Sequence, residues 1–203
     1  MAKPGRLIVF EGGEASGKST QAARLATDLG AVLTREPGGT AIGKRIRELV
    51  LDPGASAMAP STEALLMAAD RAQHVAEVIA PALDAGKDVV TDRYVPSSLA
   101  YQGYGRGMDV DALRRVSTEM AAAVEPDLVV LLEVPASIAA GRLQGRDRME
   151  AAGDEFHARV ADGYRRLASA DPDRWIVVDG DGSVDEVAER VRDAVEKWMA
   201  SRP

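Results

Sequence analysis

The sequence predicts an α/β fold in which a parallel five-stranded sheet carries helices on both faces and a short lid. Two observations support this prediction. Apolar, strand-like runs alternate with helical stretches along the whole chain, which is typical of a parallel sheet covered by helices. The first run, residues 6–11, leads into a glycine, four residues and Gly-Lys-Ser within residues 12–20, and then into a helical stretch. Strand, glycine-rich loop and helix in this order indicate a P-loop NTPase-type sheet.

The elements after the loop follow from apolar spacing and from breaks at glycine and proline. Residues 21–29 have the apolar spacing of a helix, and residues 31–34 form a second, short strand. Proline and glycines exclude a helix over residues 35–40. A helix over residues 41–51 follows, and it ends near Asp52-Pro53-Gly54.

The middle of the chain begins with a long helical stretch over residues 61–85. Ser61 is its predicted N-cap, and Pro81 is expected to kink or split it because proline lacks a backbone N–H. The third strand, residues 87–94, ends in a charged pair. Further helices are predicted from about residue 97 and over residues 110–123.

The last part of the chain completes the sheet. The fourth strand covers residues 127–134, and a short helix begins at Ala136. Residues 141–148 are polar, interrupted by glycines and dense in arginine, so we expect a lid at about residues 141–153. A helix over residues 154–168 precedes the last strand, residues 175–178. The final helix repeats apolar residues at helical spacing, a core stripe made of Val184, Val187, Val191, Val195 and Trp198.

Composition limits the class of protein and its partners. A chain of 203 residues suits a single domain, residues 1–203, and 46% hydrophobic and 28% charged residues are ordinary for a globular protein. The net charge of −7 disfavours a nucleic-acid-binding face. The absence of cysteine excludes disulfides and thiolate zinc sites. No long apolar segment opens the sequence, so we expect neither a signal peptide nor a membrane span, and a cytoplasmic protein.

Residues 12–20 predict a phosphate-binding loop. Glycines let consecutive backbone N–H groups point into one concavity, and the N-terminus of the following helix adds positive potential. Lys18 would reach the β and γ phosphates of a nucleotide, and Ser19 would offer its hydroxyl to a magnesium ion.

The predicted magnesium site needs a carboxylate beside Ser19. Asp92 and Glu133 both end apolar strands, so both are candidates at the sheet edge where ligands bind in such folds. We favour Asp92, because its neighbour Arg93 would bring a cation to the same phosphates. The alternative for Asp92 and Arg93 is an ion pair at the rim without a substrate.

Glu14 is unusual because a carboxylate inside an anion-binding loop repels the ligand. We expect it to face away from the phosphates and to accept a hydrogen bond, as from a sugar hydroxyl, or else to be a solvated turn residue. Met67, Arg71 and His74 share one helix face. Arg71 could clamp an acceptor while Met67 packs on its base, and His74 is expected on the helix surface.

Arginines in the predicted lid suit phosphoryl transfer. Arg142, Arg146 and Arg148 could neutralise charge on the transferring group, and the alternative is a solvated basic loop. The sequence offers no strong candidate for a dedicated general base. A hydroxyl acceptor commonly needs one, whereas a nucleoside monophosphate arrives with oxygens already largely ionised. The pattern therefore favours a phosphate acceptor.

Four stretches together resemble the bacterial thymidylate kinase family of P-loop nucleoside monophosphate kinases. They are residues 11–20, residues 34–40 (Thr-Arg-Glu-Pro-Gly-Gly-Thr), Asp92-Arg93-Tyr94 with residues 97–103, and residues 147–150 (Asp-Arg-Met-Glu). Residues 65–74 are similar to the third-helix segment of the family. The resemblance covers almost the whole chain. The first stretch alone indicates only a nucleotide, whereas the second and third are much more specific.

The resemblance implies magnesium-dependent transfer of the γ-phosphate of ATP to dTMP, giving dTDP and ADP for dTTP synthesis, by a homodimer. It implies that ATP is bound by Gly12, Gly13, Glu14, Ala15, Ser16, Gly17, Lys18, Ser19, Thr20 and Arg142. It implies that dTMP is bound by Glu14, Glu36, Pro37, Met67, Arg71, Arg93, Ser98, Tyr101 and Gln102. The implied catalytic residues are Lys18, Arg93, Arg142 and Arg146, and the metal ligands are Ser19 and Asp92. Because the phosphate loop has no arginine, the lid arginines are expected to neutralise the transferring group.

The sequence departs from the family pattern at two places. Met67 stands where the family usually has a phenylalanine that stacks on thymine, and methionine packs through a polarisable sulfur without a flat face. The lid between Arg142 and Asp147 is also a residue or two shorter. Two other functions stay open at this point: a deoxyribonucleoside kinase, in which Glu36 or Asp92 would deprotonate a sugar hydroxyl, and a non-catalytic nucleotide-binding regulator.

Overall fold

The computed structural model describes residues 4–142 and 147–202. Its strands are β1 (Leu7–Glu11), β2 (Val32–Arg35), β3 (Val89–Asp92), β4 (Leu128–Glu133) and β5 (Trp175–Asp179). Within these described residues the strands pair in parallel to form one five-stranded sheet in the order β2-β3-β1-β4-β5. The predicted α/β fold with a parallel five-stranded sheet is confirmed. The single domain with a lid at about residues 141–153 stays a prediction.

Helices connect the strands. The helices are α1 (Lys18–Leu29), α2 (Ala41–Leu51), α3 (Pro60–His74), α4 (Ala80–Asp84), α5 (Val95–Ser98), α6 (Val110–Arg115), α7 (Ala136–Arg142), α8 (Asp154–Ala170) and α9 (Val184–Ala200). Turns of π-helix follow α3, α5 and α6, at Val75–Ile79, Leu99–Gly105 and Val116–Met120. In the described part of the chain, no helix is both long enough and apolar enough to cross a bilayer.

The long third helix differs from its prediction in two ways. The proposed cap at Ser61 is wrong: the helix begins with Pro60 in its first turn, after Ala59, where the missing proline N–H costs no intrahelical bond. At Pro81 the chain remains helical. The N–H of Ala80 donates to the carbonyl of Val75, five residues earlier, which is the hydrogen bond of a π-helical turn. This wider turn comes directly before Pro81, which has no N–H to continue the α-helical pattern.

Side chains alternate between the two faces of the sheet, and each face has its own core. On one face, Ile8, Phe10 and neighbouring strand residues pack against apolar residues of α1 and α9. On the other face, Leu7 and Val9 pack against the helical stretch that begins at α3, and Leu131 packs against a cluster with α8. Burial of both faces explains why the central strands read as continuous apolar runs rather than as alternating ones.

The sheet has a topological switch point at β1, because β2 and β3 lie on one side of β1 and the later strands β4 and β5 lie on the other. Ligands of open parallel sheets bind at the carboxyl edge of such a point. The loop after β1 and the end of β3 both lie there, since Phe10 pairs with Asp92 in register and Arg35 pairs with Asp92 from the other side. The fold therefore brings the phosphate loop and Asp92 to the same edge.

Candidate active site

The phosphate loop joins β1 to α1 through backbone conformations that glycine favours. Gly12 has a φ of 145°, and a side chain there would meet the carbonyl oxygen of Leu132 at 2.5 Å. Gly17, with a φ of 90°, caps the N-terminus of α1. Residues with a Cβ rarely adopt either conformation, so the two glycines shape the concavity from which α1 begins.

Lys18 lies buried inside this loop. Its Nζ donates to the carbonyl of Gly13 and, at 3.2 Å, to the hydroxyl of Ser16. Burial and the positive charge of Arg93 lower the pKa of Lys18 to about 8. An anion bound in the loop would supply a counter-charge and favour the ammonium form.

A cavity of about 330 Å³ opens above the loop. It is lined by residues 14–20 together with Arg35, Glu36, Arg47, Asp92, Arg93 and Arg142. Arg142, at the end of α7, is exposed and contacts the carbonyl of Gly180 at 3.5 Å. Arg146 lies outside the described residues. Basic side chains and loop amides around one cavity form a site for a chain of phosphates.

The carboxylate beside Ser19 is Asp92. The Ser19 hydroxyl donates to Asp92 Oδ2 at 2.5 Å, and Asp92 Oδ1 is buried without a hydrogen-bond partner among the described residues. Glu133 instead pairs with Arg165 at 2.9 Å, where both side chains are exposed. Within residues 4–142 and 147–202 there is no cluster of three acidic, histidine or cysteine residues that could hold an ion. A metal at Asp92 would thus take its remaining ligands from phosphates and water.

Arg93 occupies the centre of the site in a strained backbone conformation. Its φ is 72°, which is uncommon for a residue with a side chain. The guanidinium donates to Glu14 at 2.7 Å and to the Tyr101 hydroxyl at 3.1 Å, and it lies 4.9 Å from the centre of the Tyr101 ring. Further contacts reach Gly12, at 3.3 Å, and Ser97, at 3.2 Å. These contacts hold the guanidinium of Arg93 in place. A strained backbone conformation of this kind is often found at functional sites.

Glu14 is the partner that makes this arrangement neutral. It accepts from Arg93 at 2.7 Å and from the Tyr101 hydroxyl at 2.6 Å, and its side chain is 24% exposed. Burial alone would raise the pKa of Glu14, but the charges of Arg93 and Lys18 and the Tyr101 hydrogen bond lower it to about 2. The alternative of a solvated turn residue is therefore wrong, because Glu14 is tied to two donors.

The sequence analysis missed a buried carboxylate, Glu11, that binds two of the residues in contact with Arg93, namely Ser97 and Tyr164. Glu11, at the end of β1, is fully buried and accepts hydrogen bonds from the backbone of Tyr94, from the backbone and hydroxyl of Ser97, and from the Tyr164 hydroxyl at 2.8 Å. Burial raises the pKa of Glu11, and the charge of Arg93 opposes that rise. The available signal was a charged residue at the end of an otherwise apolar strand.

A second cavity, of about 70 Å³, adjoins the first. It is lined by Glu14, Pro37, Arg47, Val50, Leu51, Met67, Arg93, Ser97, Tyr101, Gln102, Asp147 and Met149. Pro37, Met67, Tyr101 and Gln102 were predicted to surround the acceptor. Arg47, which lines both cavities and donates to the carbonyl of Pro37 at 3.1 Å, was not.

Arg71 lies behind the second cavity in a buried polar network. It is 1% exposed, and its guanidinium donates to Glu36 at 2.9 Å, to Ser98 at 3.1 Å and to Ser117 at 3.1 Å. The structure thus places Arg71 and Ser98 in the second layer of the wall, outside the residues that line the two cavities described above. Glu36 belongs to this network and also lines the first cavity, the one above the phosphate loop, which we call the phosphate cavity.

His74 was expected on the helix surface, and this expectation is wrong. The side chain is 0% exposed, with Nδ1 3.0 Å from Glu36 Oε1 and Nε2 2.6 Å from the Thr34 hydroxyl. A carboxylate can only accept, so Nδ1 donates to Glu36, and in the neutral imidazole Nε2 then accepts from the Thr34 hydroxyl. The imidazole of His74, at the end of α3, therefore joins that helix to β2 and to Glu36, which follows β2.

Arg148 was a candidate for neutralising the transferring group, and the structure assigns it a different place. Its guanidinium pairs with the buried carboxylate of Glu63 at 2.7 Å and donates to the carbonyl of Val50 at 2.7 Å. Its own side chain is 8% exposed. The prediction for Arg148 is therefore wrong, because the buried Glu63 holds it away from the phosphates.

Asp70 gives a pH-dependent prediction. It accepts from the Gly38 N–H at 3.0 Å. Burial and then the charge of Glu36 raise the pKa of Asp70 from 3.8 to about 6, against the opposing Gly38 hydrogen bond and the charge of Arg71. Folding therefore favours the protonated form, and stability is lost as pH rises through this window. We expect Asp70→Asn, which keeps the acceptor for Gly38, to stabilise the protein by about 1 to 2 kcal/mol at pH 8 and hardly at pH 4.

Urea denaturation of both proteins at pH 4, 5, 6, 7 and 8 measures this difference. At low pH Asp70 is protonated and neutral, as Asn is, so the stability advantage of Asp70→Asn should disappear there. An advantage of the same size at every pH would contradict the assignment.

The comparisons with known proteins agree with this geometry. The family model for thymidylate kinase matches residues 10–191. A thymidylate kinase of Cutibacterium acnes is 45% identical over 196 residues, covering 94% of this chain and 96% of the relative. A thymidylate kinase of Pelotomaculum thermopropionicum is 50% identical over 184 residues, covering 86% and 85%.

A solved structure, the thymidylate kinase of Ehrlichia chaffeensis, superposes with a TM-score of 0.79 at 30% sequence identity, and the match covers 95% of this chain and 100% of the other. Sequence, fold and site geometry thus point the same way, and the chain belongs to the thymidylate kinase family.

Proposed function

We propose that this protein transfers the γ-phosphoryl group of ATP to dTMP, giving dTDP and ADP. The observation that carries the proposal is the shared wall of the two cavities. Three residues line both the phosphate cavity and the second cavity, which we call the acceptor cavity: Glu14, Arg47 and Arg93. A donor held by the loop and a monophosphate in the second cavity would therefore bring their phosphates together beside Arg93. Family membership supports the identity of both substrates.

The reaction needs positioning and charge neutralisation more than covalent chemistry. An oxygen of the dTMP phosphate forms a bond to the γ phosphorus while the bond from that phosphorus to the β–γ bridging oxygen breaks, and ADP leaves with the electron pair. Lys18 and the loop amides are proposed to hold the donor, and Arg93 the acceptor phosphate. Arg142, which lines the phosphate cavity, and Arg146 are proposed to neutralise the γ-phosphoryl group from the lid.

We propose Mg²⁺ as the metal of the donor site. The Ser19 hydroxyl and Asp92 would hold it, and the buried Asp92 Oδ1, which lacks a partner in the described part of the chain, supports this placement. Mg²⁺ prefers oxygen ligands and is commonly held by one or two protein groups plus substrate phosphates. When bound, the ion neutralises phosphate charge during transfer.

The lining of the acceptor cavity suits a pyrimidine base. Pro37, Met67 and Tyr101 supply apolar surface, and Gln102 supplies an amide. Glu14 is proposed to accept a hydrogen bond from the sugar hydroxyl, since its carboxylate lines both cavities and remains ionised. Glu36, Arg71 and Ser98 support the wall behind this surface. The homodimer that the resemblance implies stays a prediction.

The two alternative functions are less well supported. A deoxyribonucleoside kinase needs a base for a sugar hydroxyl, but Glu36 is engaged by Arg71 and His74. Asp92 is bound by Ser19 through Oδ2 and is proposed to hold Mg²⁺ through Oδ1. A nucleotide-binding regulator has no use for a second cavity that shares Arg93 with the phosphate cavity. The relatives reported above support neither alternative.

A coupled ADP-release assay tests the proposal. Mg-ATP is combined with dTMP, dUMP, dCMP, dGMP or thymidine, one acceptor at a time. We expect turnover with dTMP well above that with every other acceptor, and loss of turnover when EDTA removes the metal. Turnover with thymidine alone would identify a nucleoside kinase. Binding of ATP without turnover of any acceptor would instead support a non-catalytic nucleotide-binding regulator.

A further inference from the structure

The amide of Gln102 has one end engaged and one end free. Gln102 is 1% exposed, and its Nε2 donates to Glu63 Oε1 at 2.9 Å. Its Oε1 is buried and has no hydrogen-bond partner among residues 4–142 and 147–202. Because Gln102 lines the acceptor cavity, this carbonyl is the polar atom that the amide has left to offer to a ligand there.

The orientation of this amide follows from the charge of Glu63. An ionised carboxylate has only acceptors, so it can pair with the NH₂ end of a glutamine and not with the carbonyl end. Glu63 itself is held in the ionised form. Burial would raise its pKa, but hydrogen bonds from Gln102, Arg106 and Arg148, with the charge of Arg106, lower it.

Two arginines bind the Oε2 oxygen of Glu63 and hold the carboxylate in place. Arg106, after the π-helical turn Leu99–Gly105, donates to Glu63 at 3.2 Å, and Arg148 pairs with it at 2.7 Å. Arg106 also lies 4.5 Å from the centre of the Phe156 ring. Glu63 is 1% exposed, belongs to α3 and is not among the residues that line either cavity. It therefore acts on a ligand through the residues that it binds.

We propose that Glu63 is a positioning residue that selects the pyrimidine base by fixing the amide orientation of Gln102. The proposal rests on the function proposed above. With its Nε2 held by Glu63, Gln102 has Oε1 left to accept from the ring N–H of thymine or uracil. Cytosine carries an acceptor at that ring nitrogen, so its lone pair would face the lone pairs of Oε1. A buried, unpaired polar group of this kind is costly and gives discrimination.

The consequence is a specificity that a contact to the thymine methyl group cannot supply. Thymine and uracil share the ring N–H, and cytosine lacks it. Glu63 should therefore affect the choice between dTMP and dCMP and leave the choice between dTMP and dUMP unchanged. A purely structural role for Glu63 would instead lower turnover of all three acceptors by the same factor.

Glu63→Gln is the variant that tests this. A neutral amide at position 63 can offer either a donor or an acceptor, so Gln102 can turn its NH₂ toward the cavity. We expect the ratio of kcat/KM for dTMP over dCMP to fall about tenfold, and the ratio for dTMP over dUMP to stay within about twofold. The matched control is Glu77→Gln, because Glu77 also accepts from a glutamine amide, that of Gln73 at 2.9 Å, but on the surface.

A second variant covers the case in which Glu63→Gln does not fold. Glu63→Asp keeps the charge between Arg106 and Arg148 but withdraws the carboxylate from Gln102, and the dTMP over dCMP ratio should again fall. In a Gln102→Ala background, Glu63→Asp should no longer change that ratio. An unchanged ratio in folded Glu63→Gln or Glu63→Asp protein would overturn the proposal. Failure of the wild-type protein to phosphorylate dTMP would instead overturn the proposed function on which it rests.

Discussion

Replacing Arg93 with alanine is expected to lower kcat/KM for dTMP about a thousandfold, the loss seen when a fixed donor to developing charge is removed. The guanidinium lies where the two cavities meet, and its 2.7 Å contact with Glu14 and 3.1 Å contact with Tyr101 fix its direction. Without it, Glu14 would present an unpaired carboxylate to two phosphates. The loss should appear in kcat as well as in KM, because Arg93 both binds the acceptor phosphate and holds its attacking oxygen in position for transfer.

The control for this prediction is Arg165→Ala, which removes an exposed arginine paired with Glu133 at 2.9 Å and should leave kcat/KM within about twofold. Arg93→Lys keeps a positive charge but lacks the planar fork, so it should recover only part of the activity. Steady-state kinetics on proteins shown to be folded by circular dichroism measure all three variants. Normal turnover in Arg93→Ala would show that the clamp assignment is wrong.

The sequence was most informative where function demands a fixed spacing. The glycine, four residues and Gly-Lys-Ser placed the phosphate loop, and Asp92 was preferred over Glu133 because Arg93 follows it. The structure puts Asp92 at the loop and Glu133 in an exposed ion pair. Both outcomes follow from local rules, since the carboxyl ends of neighbouring parallel strands meet at one edge.

Long-range pairing explains where the sequence misled. Met67, Arg71 and His74 were placed on one helix face, but helical spacing does not say whether a polar face points to solvent. His74 can be buried because Glu36, 38 residues earlier in the chain, accepts a hydrogen bond from its Nδ1. Arg148 was grouped with lid arginines because of its neighbours in sequence. Its partner Glu63 belongs to α3, far earlier in the chain, and nothing local to residue 148 indicated it.

Residues at the end of strands gave a weaker signal that could have been used further. Glu11 ends β1 in the same way that Asp92 ends β3, yet it holds Tyr94, Ser97 and Tyr164 in place rather than contacting phosphates. The difference is the face of the sheet: Asp92 pairs with Phe10, which packs on the side of α1, whereas Glu11 pairs with Leu131, which packs in the cluster with α8. Such a difference requires the pairing of strands and does not follow from either strand alone.

The largest effect on stability is expected for Arg71→Met. Methionine has a similar length but donates nothing, so Glu36 would lose a 2.9 Å partner while it stays 2% exposed. Removing one member of a buried ion pair costs more than the pair contributes, because the remaining charge has no water to solvate it. We expect a loss of about 3 to 5 kcal/mol in the free energy of unfolding, measured by urea denaturation.

Arg166→Met provides the matched comparison, because it breaks an ion pair with Asp162 at 2.7 Å in which the side chains are 66% and 54% exposed. Its cost should stay below about 1 kcal/mol. The size of the Arg71→Met loss also separates two roles for this residue. A contact with the base alone would raise KM for dTMP in a protein of normal stability, whereas the observed bonds to Glu36, Ser98 and Ser117 require that stability falls as well. An Arg71→Met protein as stable as wild type would mean that His74, the other partner of Glu36, is enough to keep that carboxylate paired.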